Sequence, residues 1–217
     1  MSQHCTRWLD GRRPGGTLPV CVLSDLVEAS EERRTGSAGD GYRAHVRTVL
    51  LGDRPVEVEE WLQTRRKRGV DLFDEMWEGE YHVAPAAHSS HGDLDQQLAE
   101  VLGPSARAAG LRCLGPVNIG EPSNYRVPDR CVVATDGGNH VFLPTAIVVV
   151  EIASPDDETY AKFGFYFARA VMEVLVVDLA DRSVRWFSRS ADRFVPSGGS
   201  GVLNALDDLA AGLHWPR

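Results

Sequence analysis

The most constraining feature of the sequence is an unbroken apolar run over residues 146–150, which is followed by Glu151 and Ile152. A strand that is apolar at nearly every position is covered on both faces, as the central strands of layered α/β proteins are. No apolar run in the chain is longer, whereas a membrane span needs roughly 18–20 apolar residues. The sequence therefore predicts a layered fold around a central sheet, and no membrane partner.

Helices and further strands are predicted on both sides of this strand. The segment 56–68 has acidic residues in its first turns and a basic run in its last turn, which suits the helix dipole, and Gly69 ends it. The other predicted helices are 91–102, 155–170 and 204–213, and the predicted strands or extended segments are 72–77, 80–84, 111–119, 125–133, 174–177 and 184–188. This order of elements is typical of an α/β or α+β layered sheet.

The N-terminal part of the chain differs in composition from the remainder. The total length of 217 residues suits one domain. Residues 1–44, however, are rich in Gly, Ser, Arg and acidic residues and contain few large apolar ones. Such a composition cannot build much of a packed core. We therefore predict a poorly structured N-terminal segment over residues 1–44 and one domain over residues 45–217.

Charge and cysteine usage exclude several classes of protein. The chain has 23 Lys and Arg against 31 Asp and Glu, a net charge of −8, which argues against nucleic-acid binding by bulk positive charge. None of the 4 cysteines belongs to a CxxC pair, which argues against a zinc site or a thiol redox motif. The apolar stretch 18–23 is too short for an export signal. We expect a cytoplasmic protein with reduced thiols.

Two carboxylates are candidates for chemistry. Glu151 is an anomaly, because a carboxylate at the end of a buried strand is costly unless it is paired or bound to a metal. Asp129 lies just before the apolar segment 131–133. Each has a purely structural alternative: Glu151 could form a buried salt bridge, and Asp129 could be a turn residue paired with Arg126 or Arg130.

Lys162 is a third candidate, because only it and Lys67 are lysines among the 23 Lys and Arg residues. A compact ammonium on a flexible stem can order a water or a phosphate oxygen where a broad guanidinium does not fit. Ser154 as N-cap and Pro155 at the first helical position mark the start of the predicted helix, so Lys162 is expected two turns into it. The alternative is a surface lysine paired with Glu158.

Together these residues predict a metal site. Two carboxylates and a backbone carbonyl suit Mg²⁺, which keeps several waters and takes few protein carboxylates. A bound Mg²⁺ lowers the pKa of a water and stabilises charge on a phosphoryl oxygen. We therefore expect Asp129 and Glu151 to hold the metal and Lys162 to orient the water as nucleophile.

Six segments along the chain form a recognisable series, namely EMWEGEYHVAP at 75–85, HGDLDQQLAEVL at 91–102, YRVPDRCVV at 125–133, IVVVEIASPDDE at 147–158, KFGFYFARAVMEVLVVD at 162–178 and RSVRWF at 182–187. In their order and spacing these segments resemble the Uma-type restriction endonuclease family of the PD-(D/E)XK nuclease superfamily. The resemblance covers roughly residues 46–217. It implies an α/β restriction-endonuclease-like core, with a mixed central sheet flanked by helices and an added N-terminal segment.

The resemblance also implies an activity, namely Mg²⁺-dependent hydrolysis of DNA phosphodiester bonds, with Mn²⁺ as a possible substitute. The superfamily pattern places a lysine two positions after the glutamate, where this chain has Ala153. The Uma-type pattern instead has a lysine on the following helix, and Lys162 matches it. His91 and Glu80 match family positions as well and are secondary catalytic candidates, with a helix-start histidine and a solvated hairpin glutamate as their structural alternatives.

The charge distribution favours a second interpretation. Residues 76–217 carry 11 basic and 18 acidic residues, and each phosphate contact needs a local cation. The chain could therefore be a catalytically silent binding or regulatory module on the nuclease fold, with a partner that has a basic surface. A third interpretation is a nuclease for short or single-stranded substrates, which need fewer phosphate contacts. We also expect the chain to form a homodimer.

Overall fold

The computed structural model describes residues 55–135, 138–154, 158–203 and 209–216, and the backbone of residues 48–50. The predicted N-terminal segment 1–44 lies outside these residues. The helices are α1 (Val56–Arg68), α2 (Ser89–Ala108), α3 (Phe163–Ala168) and α4 (Leu209–Gly212). The strands are β1 (Thr48–Leu50), β2 (Glu75–Trp77), β3 (Glu80–Val83), β4 (Leu111–Leu114), β5 (Asn118–Glu121), β6 (Asn124–Arg126), β7 (Arg130–Ala134), β8 (Phe142–Leu143), β9 (Val148–Ala153), β10 (Glu173–Asp178), β11 (Ser183–Arg189) and β12 (Phe194–Ser197).

The central sheet has six strands in the order β12-β11-β10-β9-β7-β4. The strands β9 and β10 are parallel, and the other neighbours are antiparallel, so the sheet is mixed as predicted. All six residues of β9 are buried. Residues 148–150 of the apolar run therefore do form part of a strand that is covered on both faces, and the predicted fold class is confirmed.

The two faces of β9 belong to different cores. Val148, Val150 and Ile152 pack in a cluster with the apolar stripe of α2. Val149 and Ala153 pack on the other face, in a cluster with α3. Because side chains alternate along a strand, Glu151 lies on the α3 face. The single carboxylate of the run is therefore placed inside an apolar layer.

A second six-stranded sheet, in the order β1-β3-β2-β6-β5-β8, packs beside the central one. The prediction had a single sheet, because it treats 111–119 and 125–133 as one extended segment each. The structure divides each of them between two strands that belong to different sheets. Helix α1 covers this sheet through Leu62, which clusters with Met76 and Tyr81. Arg65 of α1 donates to Asp74 at 2.9 Å, which fixes the helix beside the start of β2.

Helix boundaries differ most from prediction after β9. The predicted helix 155–170 is a 3₁₀ turn, Thr159–Lys162, followed by α3. The aromatic-rich segment Phe163–Ala168 has modest helix propensity, and the chain leaves the helix at Ala170, whose φ is 61°. Lys162 is thus the last residue of the 3₁₀ turn and is not two turns into a helix. Ser154 is not the N-cap as predicted, because the 3₁₀ turn begins at Thr159 after Glu158. Pro155, the predicted first helical position, lies outside the described residues.

The other predicted helices are close to their expected positions. Helix α1 has the predicted bounds and ends at Gly69, whose φ of 65° is left-handed. Helix α2 begins two residues before the predicted start and continues through Pro104 to Ala108. Within the described residues, helix α4 forms the end of the predicted helix 204–213. No described helix combines the length and the apolar character that crossing a membrane requires.

Candidate functional site

A cavity of about 210 Å³ opens beside the carboxyl-terminal half of β9. Its wall is formed by the end of β9, the start of α2, the 3₁₀ turn and parts of β2 and β3. Asp129, Glu151, Lys162 and His91 all line it. Four of the five predicted site residues are therefore brought together from segments that are distant in sequence.

The carboxylate of Asp129 is held by β9 and by the first turn of α2. Its Oδ2 accepts the backbone N–H of Ile152 at 2.7 Å, and its Oδ1 lies 2.8 Å from Nε2 of His91. Arg126 and Arg130 have other partners, the carbonyl of Met76 and the carboxylate of Asp95. In the described part of the chain, the alternative pairing of Asp129 within its own turn is therefore not formed.

Glu151 is buried, with 3% of its surface exposed. Tyr166 donates its hydroxyl to Oε1, and the Nζ of Lys162 lies 3.0 Å from Oε2. The pKa of Glu151 is raised to about 8. Burial is the main cause, Asp129 and Glu75 contribute to the rise, and Lys162 opposes it. Burial and the neighbouring Glu151 also raise the pKa of Tyr166 well above its usual value, so the phenol stays a donor.

Lys162 reaches the cavity from the end of the 3₁₀ turn. Its Nζ lies 3.0 Å from Oε2 of Glu151 and 3.0 Å from Oε1 of Glu75. Only 12% of its side chain is exposed, so the alternative of a solvated surface lysine does not describe its position. The turn that replaced the predicted helix places the ammonium between two carboxylates.

Glu75 is a cavity residue that sequence reasoning missed. Its Oε1 accepts the backbone N–H of Val127 at 2.8 Å, and its Oε2 accepts the indole N–H of Trp77 at 2.6 Å. One signal could have found it. Asp74 and Glu75 are consecutive carboxylates in an otherwise apolar segment, and consecutive residues of a strand face opposite sides, so one of them faces the interior.

His91 and Glu80, the secondary candidates, have different surroundings. His91 lies in the first turn of α2 and lines the cavity beside Asp129. Glu80 lies at the start of β3 outside the cavity lining, with 53% of its side chain exposed. Its carboxylate is 3.9 Å from Nε2 of His82. The structure thus brings His91 to the site and leaves Glu80 at its periphery.

The chemistry of the donors fits a hard divalent cation. The carboxylates of Glu75, Asp129 and Glu151 face one cavity with a single lysine ammonium between two of them. Carboxylate oxygens are the ligands that Mg²⁺ prefers. Among the described residues, however, no three His, Cys, Asp or Glu side chains are grouped closely enough to ligate one ion together. A cation here would therefore rely on two carboxylates completed by backbone carbonyls or water.

Comparisons with known proteins identify the family and the fold of the chain. The family model Uma2, described as "Putative restriction endonuclease", matches residues 58–214. No curated protein matches the chain. A crystal structure of "a putative nuclease belonging to DUF820" from Anabaena variabilis ATCC 29413 is similar, with a TM-score of 0.50 and 17% sequence identity. The match covers 65% of this chain and 85% of that one, and at this identity it shows a shared fold.

Proposed function

Because this chain belongs to the Uma2 family, we propose that it is a metal-dependent endonuclease that hydrolyses phosphodiester bonds of DNA. The observation that carries the proposal is the convergence of Asp129, Glu151 and Lys162 on one cavity at the end of β9. Ligands of open α/β sheets bind at the carboxyl ends of parallel strands, and these three residues line a cavity beside the carboxyl-terminal half of β9. Two carboxylates beside a lysine are also the residue types that phosphodiester hydrolysis with a metal needs.

Asp129 and Glu151 are the residues that would hold Mg²⁺, or Mn²⁺ in its place. The bound ion would supply charge stabilisation at a phosphoryl oxygen and a lower pKa for a water. The two carboxylates are already fixed in position, Asp129 by the N–H of Ile152 and Glu151 by Tyr166. Such fixed ligands need little rearrangement when a cation binds.

We assign to Lys162 the role of orienting the attacking water. Glu75 and Glu151 hold its ammonium at the cavity wall. In the reaction the water oxygen bonds to phosphorus while the bond from phosphorus to the 3′ oxygen breaks. The products are a 3′-hydroxyl and a 5′-phosphate. To reach the water, the ammonium exchanges one carboxylate partner for it, and His91, oriented by Asp129, assists proton transfer.

The test is a nuclease assay of the full chain with Mg²⁺ or Mn²⁺ on plasmid and single-stranded DNA. We expect metal-dependent cleavage by the wild type and none by Asp129→Ala. Asp181→Ala is the matched control, because Asp181 is an exposed aspartate paired with Arg185 outside the cavity. If the wild type cleaves single-stranded DNA and not plasmid, the substrate class is short or single-stranded DNA. Equal cleavage by Asp129→Ala and the wild type would refute the site.

A silent binding module is the second candidate function. The excess of 18 acidic over 11 basic residues in the segment 76–217 favours it, because a polyanion is repelled by such a domain. Its partner would have a basic surface. Absence of cleavage by the wild type on every DNA, together with binding of a basic protein that Asp129→Ala retains, would favour this function. Sedimentation of the full chain tests the expected homodimer.

A further inference from the structure

His82 is a cavity residue to which the proposed chemistry gives no role. It lies on β3 directly opposite Glu75 of β2, and opposed residues of two antiparallel strands project from the same face. Its ring stacks on that of Trp77, with centroids 4.5 Å apart and planes at 12°. Only 7% of its surface is exposed, and it lines the cavity together with Asp129 and Lys162.

Both ring nitrogens of His82 are buried without a hydrogen-bond partner among the described residues. The nearest carboxylate oxygen, Oε2 of Glu80, is 3.9 Å from Nε2, which is beyond hydrogen-bond distance. A neutral imidazole always carries one N–H donor and one acceptor. Burying both without partners is unfavourable, and a phenylalanine would stack on Trp77 without that cost. Stability therefore does not account for a histidine here.

The charge of the cavity indicates what the imidazole could bind. Glu75, Asp129 and Glu151 supply carboxylates that repel an anion, and the ammonium of Lys162 is held by two of them. A substrate phosphate needs hydrogen-bond donors that carboxylates do not already hold. His82 lines the cavity, and neither of its ring nitrogens is held by a carboxylate within hydrogen-bond distance, so its ring can supply such a donor.

We infer that His82 donates a hydrogen bond to a phosphate oxygen of the bound substrate, on the wall of the cavity formed by β2 and β3. This inference rests on the proposed function for the identity of the substrate, a phosphodiester. It assigns His82 to direct substrate contact and makes Trp77 the platform that orients the ring. The phosphate would then lie between this donor and the carboxylates at the end of β9.

The test uses inorganic phosphate as the probe, in Mg²⁺ buffer, with the full chain labelled with ¹⁵N in its histidines. We expect phosphate to shift the ring nitrogen signals of His82, which are identified by their loss in His82→Phe. Phosphate should bind this variant at least tenfold more weakly. His140→Phe is the matched control, because His140 is exposed and lies outside the cavity, and it should bind phosphate like the wild type.

Stability separates substrate contact from a structural role. His82→Phe keeps the stacked ring, so it should melt at the temperature of the wild type or above and keep the same Mg²⁺-induced rise in Tm. Unmoved His82 signals, or equal phosphate affinity of His82→Phe and the wild type, would overturn the inference. Failure of the proposed function is a different result, namely no DNA cleavage by the wild type, and it does not depend on the phosphate titration.

Discussion

Two buried glutamates on adjacent parallel strands, Glu151 of β9 and Glu173 of β10, have very different surroundings. Glu173 lies at the amino end of its strand and is 4% exposed. Its oxygens accept the hydroxyl of Ser200 and, at 2.7 Å, the backbone N–H of Gly201. Glu151 lies toward the carboxyl end of the same strand pair, beside a cavity and two further carboxylates.

The difference shows how a buried carboxylate can be recognised as structural or as a candidate for function. Neutral donors from a neighbouring loop satisfy Glu173, so it fastens that loop to the sheet. Glu151 instead receives a lysine ammonium and a phenol. Burial raises its pKa to about 8, and the nearby carboxylates of Asp129 and Glu75 add to the shift while Lys162 opposes it. Excess charge next to a cavity indicates a place for a cation or substrate, whereas neutral saturation does not.

The largest expected effect is on cleavage by Lys162→Ala. Loss of a preorganised donor that acts on the reacting water should reduce kcat by roughly 10²–10³-fold. Lys162→Arg should be nearly as damaging, because the planar guanidinium cannot replace a compact ammonium between two carboxylates. The measurement is a single-turnover cleavage rate. Lys67→Ala, which removes the only other lysine, should retain the wild-type rate, and a full rate for Lys162→Ala would contradict the assignment.

Metal binding should stabilise the folded wild type by about 2.7 kcal/mol at a hundredfold excess over the dissociation constant. The rise in Tm with Mg²⁺ should grow as the pH increases from about 6 to 8. The metal-free fold carries a proton on Glu151 below its pKa of about 8, and the metal has to displace that proton. By the same linkage, metal-free stability should fall as the pH rises through this window, because the folded state binds more protons than the unfolded state.

Melting curves at several pH values with and without Mg²⁺ measure both trends. Asp129→Ala should lose the metal-induced rise at every pH. Glu173→Ala should keep it, because Glu173 lies outside the cavity lining. A metal effect that does not change with pH would contradict the participation of Glu151.

The variant Glu173→Ala should lower the stability of the fold without changing cleavage. Removing the carboxylate leaves the Ser200 hydroxyl and the Gly201 N–H without their acceptor, so the free energy of unfolding should fall by about 1–3 kcal/mol. The cleavage rate per folded molecule should not change. Urea denaturation combined with the single-turnover assay measures both quantities. A loss of cleavage without a loss of stability would place Glu173 among the functional residues and remove the contrast with Glu151.

Smaller losses of cleavage than for Lys162→Ala are expected for the two secondary candidates. His91→Ala removes the side chain that is proposed to assist proton transfer, so cleavage should fall by about 10²-fold, the lower end of what an acid–base assistant contributes. Glu80→Ala should cleave at the wild-type rate, because its exposed carboxylate lies outside the cavity lining. The same cleavage assay serves both. An equal loss in both variants would show that Glu80 contributes to the site despite its position.

Long, strongly patterned elements could be predicted from the sequence. The strand β9 and the helix α1 follow directly from an apolar run and from charges matched to the helix dipole. Three site residues can be predicted because they are unusual in their surroundings. Asp129 and Glu151 are charges beside apolar segments, and Lys162 is a lysine in an arginine-rich chain. The family resemblance placed them in one domain.

The remaining features depend on contacts between distant segments, which a local pattern does not encode. Glu75 meets Lys162 across 87 positions of sequence only because β2 folds against the 3₁₀ turn. The second sheet arises because the extended segments 111–119 and 125–133 are each divided between two sheets, and the 3₁₀ turn occupies a segment whose pattern predicts a helix. In each of these cases tertiary packing determines the local structure and overrides the local propensity.

The hydrogen bond from Ile152 to Asp129 has a consequence for how such proteins diverge. Asp129 is the acceptor for a main-chain N–H, and Glu75 serves Val127 in the same way. Selection for folding alone would therefore retain both acidic residues even in a relative without the proposed activity. Retention of these acidic residues in a relative is therefore weak evidence that the relative is active.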